Sequence, residues 1–245
     1  MTPETNQTVR EIAIQNPATV RVFETLGIDY CCGGKRPLSE ACERAAVPLD
    51  KALQMLAALE SESMSPEEKS WSTQPLRALI AHIVTRHHAF IRSEAPRLTA
   101  LVAKVVSRHG PAHPELLTIQ ETFGALVEEL LAHLMKEEQI LFPFIENMEA
   151  ASAVPSNCFG SVEFPIARML ADHDDAGALT AQIRSLSSNF QPPEGACPSY
   201  SGLYQGLADF ERDLHQHIHL ENNILFPRAV ELEKQLAVAV QVGCV

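Results

Sequence analysis

The chain has 245 residues, 46% hydrophobic and 20% charged. That is the balance of an ordinary globular chain with room for one large domain or two small ones, and it excludes a disordered or fibrous protein. Acidic residues outnumber basic ones 31 to 19, and the net charge of −12 argues against DNA or an anionic membrane surface as the main partner. No apolar run approaches the roughly 18 residues of a membrane span, and the opening MTPETNQTVR lacks the apolar stretch of a signal peptide. Six cysteines at 31, 32, 42, 158, 197 and 244 form neither a disulfide framework nor a zinc pattern. The expected address is a reducing cytoplasm.

In chain order, Thr8-Val-Arg-Glu11 has the form of a capping box and opens a short helix. Asn16-Pro17 starts another, with Pro17 where no donor is needed, and Gly27 closes it as a C-cap. After the loop Ile28–Pro37, two more helices are expected over about Leu38–Ala46 and Pro48–Glu60. We read residues 1–62 as a small N-terminal helical domain. The polar stretch Ser61–Gln74 breaks the periodicity and holds the linker, 63–74. Four long helical segments follow, near 75–108 (with a bend expected at Pro96), 114–147, 161–189 and 198–236. They are separated by Gly110-Pro111, Ala150–Gly160 and a proline-rich turn at 191–195. No useful strand-like alternation occurs, so the fold class is all-α, with an up-down-up-down four-helix bundle over 75–238.

The second and fourth segments carry nearly one phrase, HLMKEEQILFP from His133 and HIHLENNILFP from His217. His133 to His217 and Glu137 to Glu221 are both offset by 84 residues. The first and third segments add His88, 45 residues before His133, and His173, 44 before His217. Each helix pair thus offers one His and then a His-x-x-x-Glu. An isolated His-x-x-x-Glu is more often a surface pair, but here it is repeated and in phase. One stripe runs Leu116, Ile119, Phe123, Leu126, Leu130, His133, Glu137, Leu141, and the other Leu203, Leu207, Phe210, Leu214, His217, Glu221, Leu225. The His and Glu stand where leucine is expected, and a buried carboxylate there needs a proton, a partner or a metal. Residues four apart lie about 6 Å apart on one helix face, so His and Glu can reach one metal pair. The ligand set is therefore His88, His133, Glu137, His173, His217 and Glu221, with the carboxylates as bridges. Imidazole and carboxylate suit iron, manganese or zinc.

His173 shares its stripe with Ile166, Met169, Ala176, Thr180 and Ile183. The first helix points almost equally at His87 and His88, and spacing favours His88. His82 reads as core or as support to the site, and His215 and His219 fall off the stripe onto a solvated face. His109 and His113 belong to an exposed turn. Glu129 and Asp172 are the expected hydrogen-bond partners of ligating imidazoles, and Pro143 and Pro227 are expected to end or bend their helices just past the site.

Cys31-Cys32 stands in the loop phrase DYCCGGKR. Neighbouring Cα atoms lie ~3.8 Å apart, too close for a relaxed disulfide at about 4.4–6.8 Å. Lys35 and Arg36 could lower a thiol pKa, so the pair reads either as reactive or metal-transferring thiols or as a tight turn. The other four cysteines look incidental.

Together, DYCCGGK and the twice-occurring HxxxExxILFP tail resemble the RIC (repair of iron centres) family over nearly the whole chain. The resemblance implies a haemerythrin-like bundle in a cytoplasmic stress protein that repairs iron–sulfur clusters damaged by oxidative or nitrosative stress, with nitric oxide reduction as a further family proposal. It implies two iron ions, oxo- and carboxylate-bridged, on the six ligands above, and places the family's vicinal cysteines at Cys31 and Cys32. A histidine, His87, stands where the family commonly has Tyr. The implied partners are damaged iron–sulfur proteins and small diatomic ligands such as nitric oxide and oxygen. Homodimerisation through the N-terminal unit is compatible with the chain, but no pattern in the sequence supports it.

Overall fold

The structure, a computed structural model, describes residues 6–59, 71–151 and 153–242. Four short helices open the chain: α1 (Val9–Gln15), α2 (Thr19–Leu26), α3 (Leu38–Arg44) and α4 (Leu49–Leu59). The capping box at α1 forms as the sequence predicts: Glu11 N–H donates to Thr8 Oγ1 at 3.2 Å, and Glu11 Oε2 accepts from Thr8 N–H at 2.8 Å. Gly27 ends α2 in the left-handed region, at φ +67°. These helices share an apolar cluster built on Val9, Phe23, Leu38 and Leu56. Most of the expected linker, 63–70, lies outside the described residues, as does Cys244.

Four long helices form the bundle: α5 (76–109), α6 (115–150), α7 (Glu163–Leu186) and α8 (198–242). The expected boundaries differ by a few residues at most at the ends, apart from α8, which runs on to 242. Pro96 lies inside α5 without ending it. α6 packs between α5 and α7, and α8 closes the ring against α5 while meeting α7 only sparsely. Two apolar clusters fill the interior, one including Leu98, Leu126, Ile183 and Leu214, the other Ile83, Leu141, Met169 and Leu225. Among the described residues the only β feature is an isolated bridge between Thr8 and Pro37.

Of the two outcomes expected at Pro143 and Pro227, ending the helix does not occur. α6 and α8 run through them, and the turn just before each widens to π geometry, at Glu137–Leu141 and Glu221–Leu225. Proline lacks the N–H of the normal i→i−4 bond and crowds that carbonyl, and a widened turn relieves both problems. α5 has a third π turn, at Ile83–His88. All three turns begin or end on a residue of the expected ligand set.

The repeat extends further than the sequence phrase. Glu149 on α6 accepts from the N–H groups of Leu76 and Arg77, at 2.6 and 2.9 Å, capping α5. Glu233, 84 residues later on α8, accepts from Val162 N–H at 2.8 Å and Ser161 Oγ at 2.6 Å, capping the start of α7. Each helix pair is thus clasped by a carboxylate on its second helix.

The cysteine loop wedges against α7 and α8, the neighbouring pair of the bundle with the sparsest mutual contact. Asn223, buried on α8, donates to the carbonyl oxygens of Tyr30 and Cys31, at 3.0 and 3.3 Å. Arg10 N–H donates to Gly34 O at 2.7 Å from the other side. A Cβ at Gly34 would sit 2.7 Å from the Tyr30 carbonyl oxygen and 3.1 Å from Asn223 Oδ1. Gly34→Ala is therefore expected to loosen this loop at a cost of about 1–3 kcal/mol. Thermal melting together with faster alkylation of buried Cys31 would show it, and an unchanged alkylation rate would contradict the docking.

Candidate metal centre

The six expected ligands meet midway along the bundle, between the two apolar clusters. All are buried, with His88, Glu137, His217 and Glu221 at 0% exposure. His88, Glu137, His217 and Glu221 form one group of converging donor atoms, and His133, Glu137, His173 and Glu221 the other. The histidines therefore pair across the sequence repeat rather than within it. His88 Nε2 and His217 Nε2 are 3.2 Å apart, and His133 Nε2 and His173 Nε2 are 3.0 Å apart.

The carboxylates belong to both groups. Glu137 turns Oε2 to His88 at 3.4 Å and Oε1 to His133 at 3.3 Å. Glu221 turns Oε1 to His217 at 3.0 Å and Oε2 to His173 at 3.1 Å. Both Glu137 oxygens and Glu221 Oε2 are buried without a hydrogen bond.

Outward-facing partners orient three of the imidazoles. Nδ1 of His88 lies 2.6 Å from Glu138 Oε1, that of His173 2.7 Å from Asn222 Oδ1, and that of His133 3.3 Å from Asp172 Oδ2. With an Nδ1–H donated outward, each Nε2 turns a lone pair inward. Nitrogens facing one another at this range need a proton or a metal ion between them. Two nitrogens about 2.1 Å from one ion, at right angles, would stand about 3.0 Å apart, close to what is observed. The donor set thus fits metal, with no thiolate among the converging atoms.

Burial alone would push the Glu221 carboxyl up, but His217 and His173 hold it well below the usual range. Glu137 is lowered too: burial and the charge of Glu221 push it up, and His133 and His88 outweigh them. His133 is pushed up to about 9, burial being overcome by Glu137, whereas burial keeps His217 below its ordinary value.

Similarity to known proteins agrees with this geometry. The haemerythrin HHE cation-binding domain model matches residues 79–229, and the domain of unknown function DUF542 matches residues 5–60. The iron–sulfur cluster repair protein YtfE of Yersinia pseudotuberculosis serotype IB (strain PB1/+) is 39% identical over 230 residues, covering 93% of this chain and 98% of that protein. YtfE of Yersinia pestis (strain Pestoides F) matches to the same extent. The chain belongs to the YtfE family of iron–sulfur cluster repair proteins. Its place there agrees with the resemblance read from DYCCGGK and the repeated HxxxExxILFP.

The side chains around the centre match some expectations and correct others. His87 is buried but stays outside both groups: its ring lies parallel to that of His217 at 5.8 Å, and its Nδ1 is 3.1 Å from Asp213. Glu129 is exposed and supports no imidazole, a role that falls to Glu138 and Asn222 beside Asp172. Both follow a cluster glutamate directly, a position the repeat marks and side-chain type conceals. His215 and His219 are not solvated, because the N-terminal unit covers that face. His219 is buried, with its ring 5.4 Å from that of Tyr30, and His215 Nδ1 lies 3.1 Å from Glu24. The His82 ring lies 4.6 Å from that of Trp71, tilted by 32°, and meets His87 edge-on. His109 and His113 are half-buried against Tyr200.

The cysteines are free thiols, Cys31 buried and Cys32 half-buried. The expected lowering by Lys35 and Arg36 is reversed at Cys31, whose thiol is pushed well up by its contact with Cys32 and by burial. Arg36 is engaged instead with Asp29, at 3.9 Å, and with Glu40, at 3.4 Å. Cys32 Sγ lies 3.8 Å from the His173 carbonyl oxygen, and Asn222, which accepts from His173, donates to the Cys31 carbonyl at 3.4 Å.

Proposed function

We propose that the six side chains hold two iron ions and that the protein repairs iron–sulfur clusters damaged by oxidative or nitrosative stress by donating iron to them. His88 and His217 would hold one ion, His133 and His173 the other, with Glu137 and Glu221 bridging. The observation that carries this reading is that each carboxylate offers one oxygen to each histidine pair. The name of the relatives favours iron over manganese or zinc. When bound, the ions supply redox-active iron that can also be given up. The protein's own part is to orient the imidazoles through Glu138, Asn222 and Asp172 and to keep water out with the apolar clusters on either side. Cys31 and Cys32, beside His173, belong to the same reading as thiols on the route from centre to client.

The client class is damaged iron–sulfur proteins, met in the cytoplasm. Among the described residues no helix is long and apolar enough to cross a membrane. The division into 1–62, a 63–74 linker and 75–238 draws support from the two domain matches and from the separate apolar cluster of α1–α4. Donor number favours a second reading, binding or reduction of nitric oxide or oxygen. Each group offers two imidazole nitrogens and one oxygen from each carboxylate, which leaves a six-coordinate ion positions for a small ligand.

Metal analysis of the purified protein is expected to give two irons per chain, and anaerobic incubation with an apo iron–sulfur protein to rebuild its cluster at the expense of that iron. A stoichiometric zinc protein would overturn the iron assignment. Nitric oxide turnover without iron transfer would favour the second reading.

A further inference from the structure

The cysteine loop presents a second set of converging donors, apart from the histidine–glutamate centre. We propose that Asp29, Cys31 and Cys32 form a mononuclear site for a thiophilic divalent cation, with one coordination position left open to the cleft between the N-terminal unit and the bundle. This deepens the transfer role given above to the thiols by naming their ligand set.

The three side chains offer two sulfurs and a carboxylate oxygen within 4.8 Å of one another. Their spacing is that of ligands on one ion. Two thiolates about 2.3 Å from a tetrahedral ion stand about 3.8 Å apart, and a thiolate and a carboxylate oxygen at about 2.1 Å stand about 3.6 Å apart. Cys31 Sγ and Cys32 Sγ are 3.8 Å apart, and Cys31 Sγ is 3.5 Å from Asp29 Oδ1. A disulfide would need about 2.04 Å, so the loop holds its sulfurs at a chelating distance rather than a bonding one.

The backbone fixes this arrangement. Asp29 Oδ1 accepts from the N–H groups of Cys31 and Cys32, at 3.2 and 3.0 Å, which orients the carboxylate toward the thiols. Asn223 clamps the carbonyl groups of Tyr30 and Cys31 from the bundle side. Across from Cys32 the bundle presents Gly177, where a Cβ would sit 3.8 Å from the sulfur, so the glycine keeps that side of the thiol uncrowded. The cleft, about 800 Å³, is lined by Cys31, Cys32, Asp29, Thr180 and Arg184.

Binding releases two protons to solvent as both thiols become thiolates, with no change of oxidation state. Soft sulfur donors favour zinc or iron over magnesium or calcium. Three protein ligands and one open position make an exchangeable site rather than a structural one, open to a donor from a docked partner.

The test is a cobalt(II) titration of the iron-loaded protein in a thiol-free reductant. One cobalt per chain is expected, with the near-ultraviolet charge-transfer absorption that only thiolate ligation gives. Cys31→Ser/Cys32→Ser should abolish that band, and Asp29→Ala should weaken cobalt binding at least tenfold while keeping it. Absence of the band, or its persistence in the double serine variant, overturns the site. The same titration of Glu137→Ala separates this site from the histidine–glutamate centre: the thiolate band is expected there even if that centre holds no metal.

Discussion

Replacing Glu137 with Ala is expected to empty the whole histidine–glutamate centre rather than half of it. Its two oxygens face different histidine pairs, His88 at 3.4 Å and His133 at 3.3 Å, so one substitution removes a donor from both positions. His133→Ala removes a donor from one position only. Metal analysis should therefore show Glu137→Ala falling from two ions per chain to near none, with His133→Ala retaining about one. Stability should follow, because a ligand bound by the folded state alone adds about 4 kcal/mol when it is present at a thousand times its dissociation constant. Glu137→Ala should melt like the chelated wild type, and chelator should not lower its melting temperature further. Retention of one tightly held ion in Glu137→Ala would show that this carboxylate does not bridge.

Much of this centre was legible in the sequence, because the polar residues interrupt otherwise continuous leucine stripes. On α7 the residues named from periodicity, Ile166, Met169, His173, Ala176, Thr180 and Ile183, are the ones that are buried. The preference for His88 over His87 rested on spacing alone, and the π turn at Ile83–His88 shows why phase could not decide it: the widened turn shifts the register where the two compete. The pairing of His88 with His217 was out of reach, because the sequence repeat groups helices in chain order whereas the bundle closes α8 against α5. Pro143 and Pro227 were visible, but a proline can be met by ending, bending or widening a helix, and the apolar continuation to Ile145 and Ala229 favoured widening. His215 and His219 were misread because a face is solvated only if nothing docks on it, and Tyr30, which covers it, lies some 190 positions away in the chain. Glu149 and Glu233 could have been found by carrying the 84-residue offset past the prolines.

The same offset exposes an inequality between the two halves of the centre. Glu138 and Asn222, equivalent in the repeat, serve His88 and His173 alike. Asp172, just before His173, faces His133, but the residue just before His88 is His87, which is committed to Asp213 and only stacks on His217. His217 Nδ1 is left buried with no hydrogen-bond partner. An imidazole without an outer acceptor is less firmly oriented and less basic, and loss of such a partner costs 10–100-fold in metal affinity. The wild type should therefore release its ions to a chelator in two steps, the His88/His217 ion first. Asp172→Ala should weaken the His133/His173 position by about 10–100-fold and merge the steps, while Asp172→Asn, which keeps an acceptor oxygen, should largely restore them. Lys136 and Arg168 also contact Asp172, at 2.8 and 2.7 Å, but they are surface pairs whose loss should change the melting temperature little. A single release step in the wild type, unchanged in Asp172→Ala, would mean that the unmatched Nδ1 of His217 has no influence on how the metal is held.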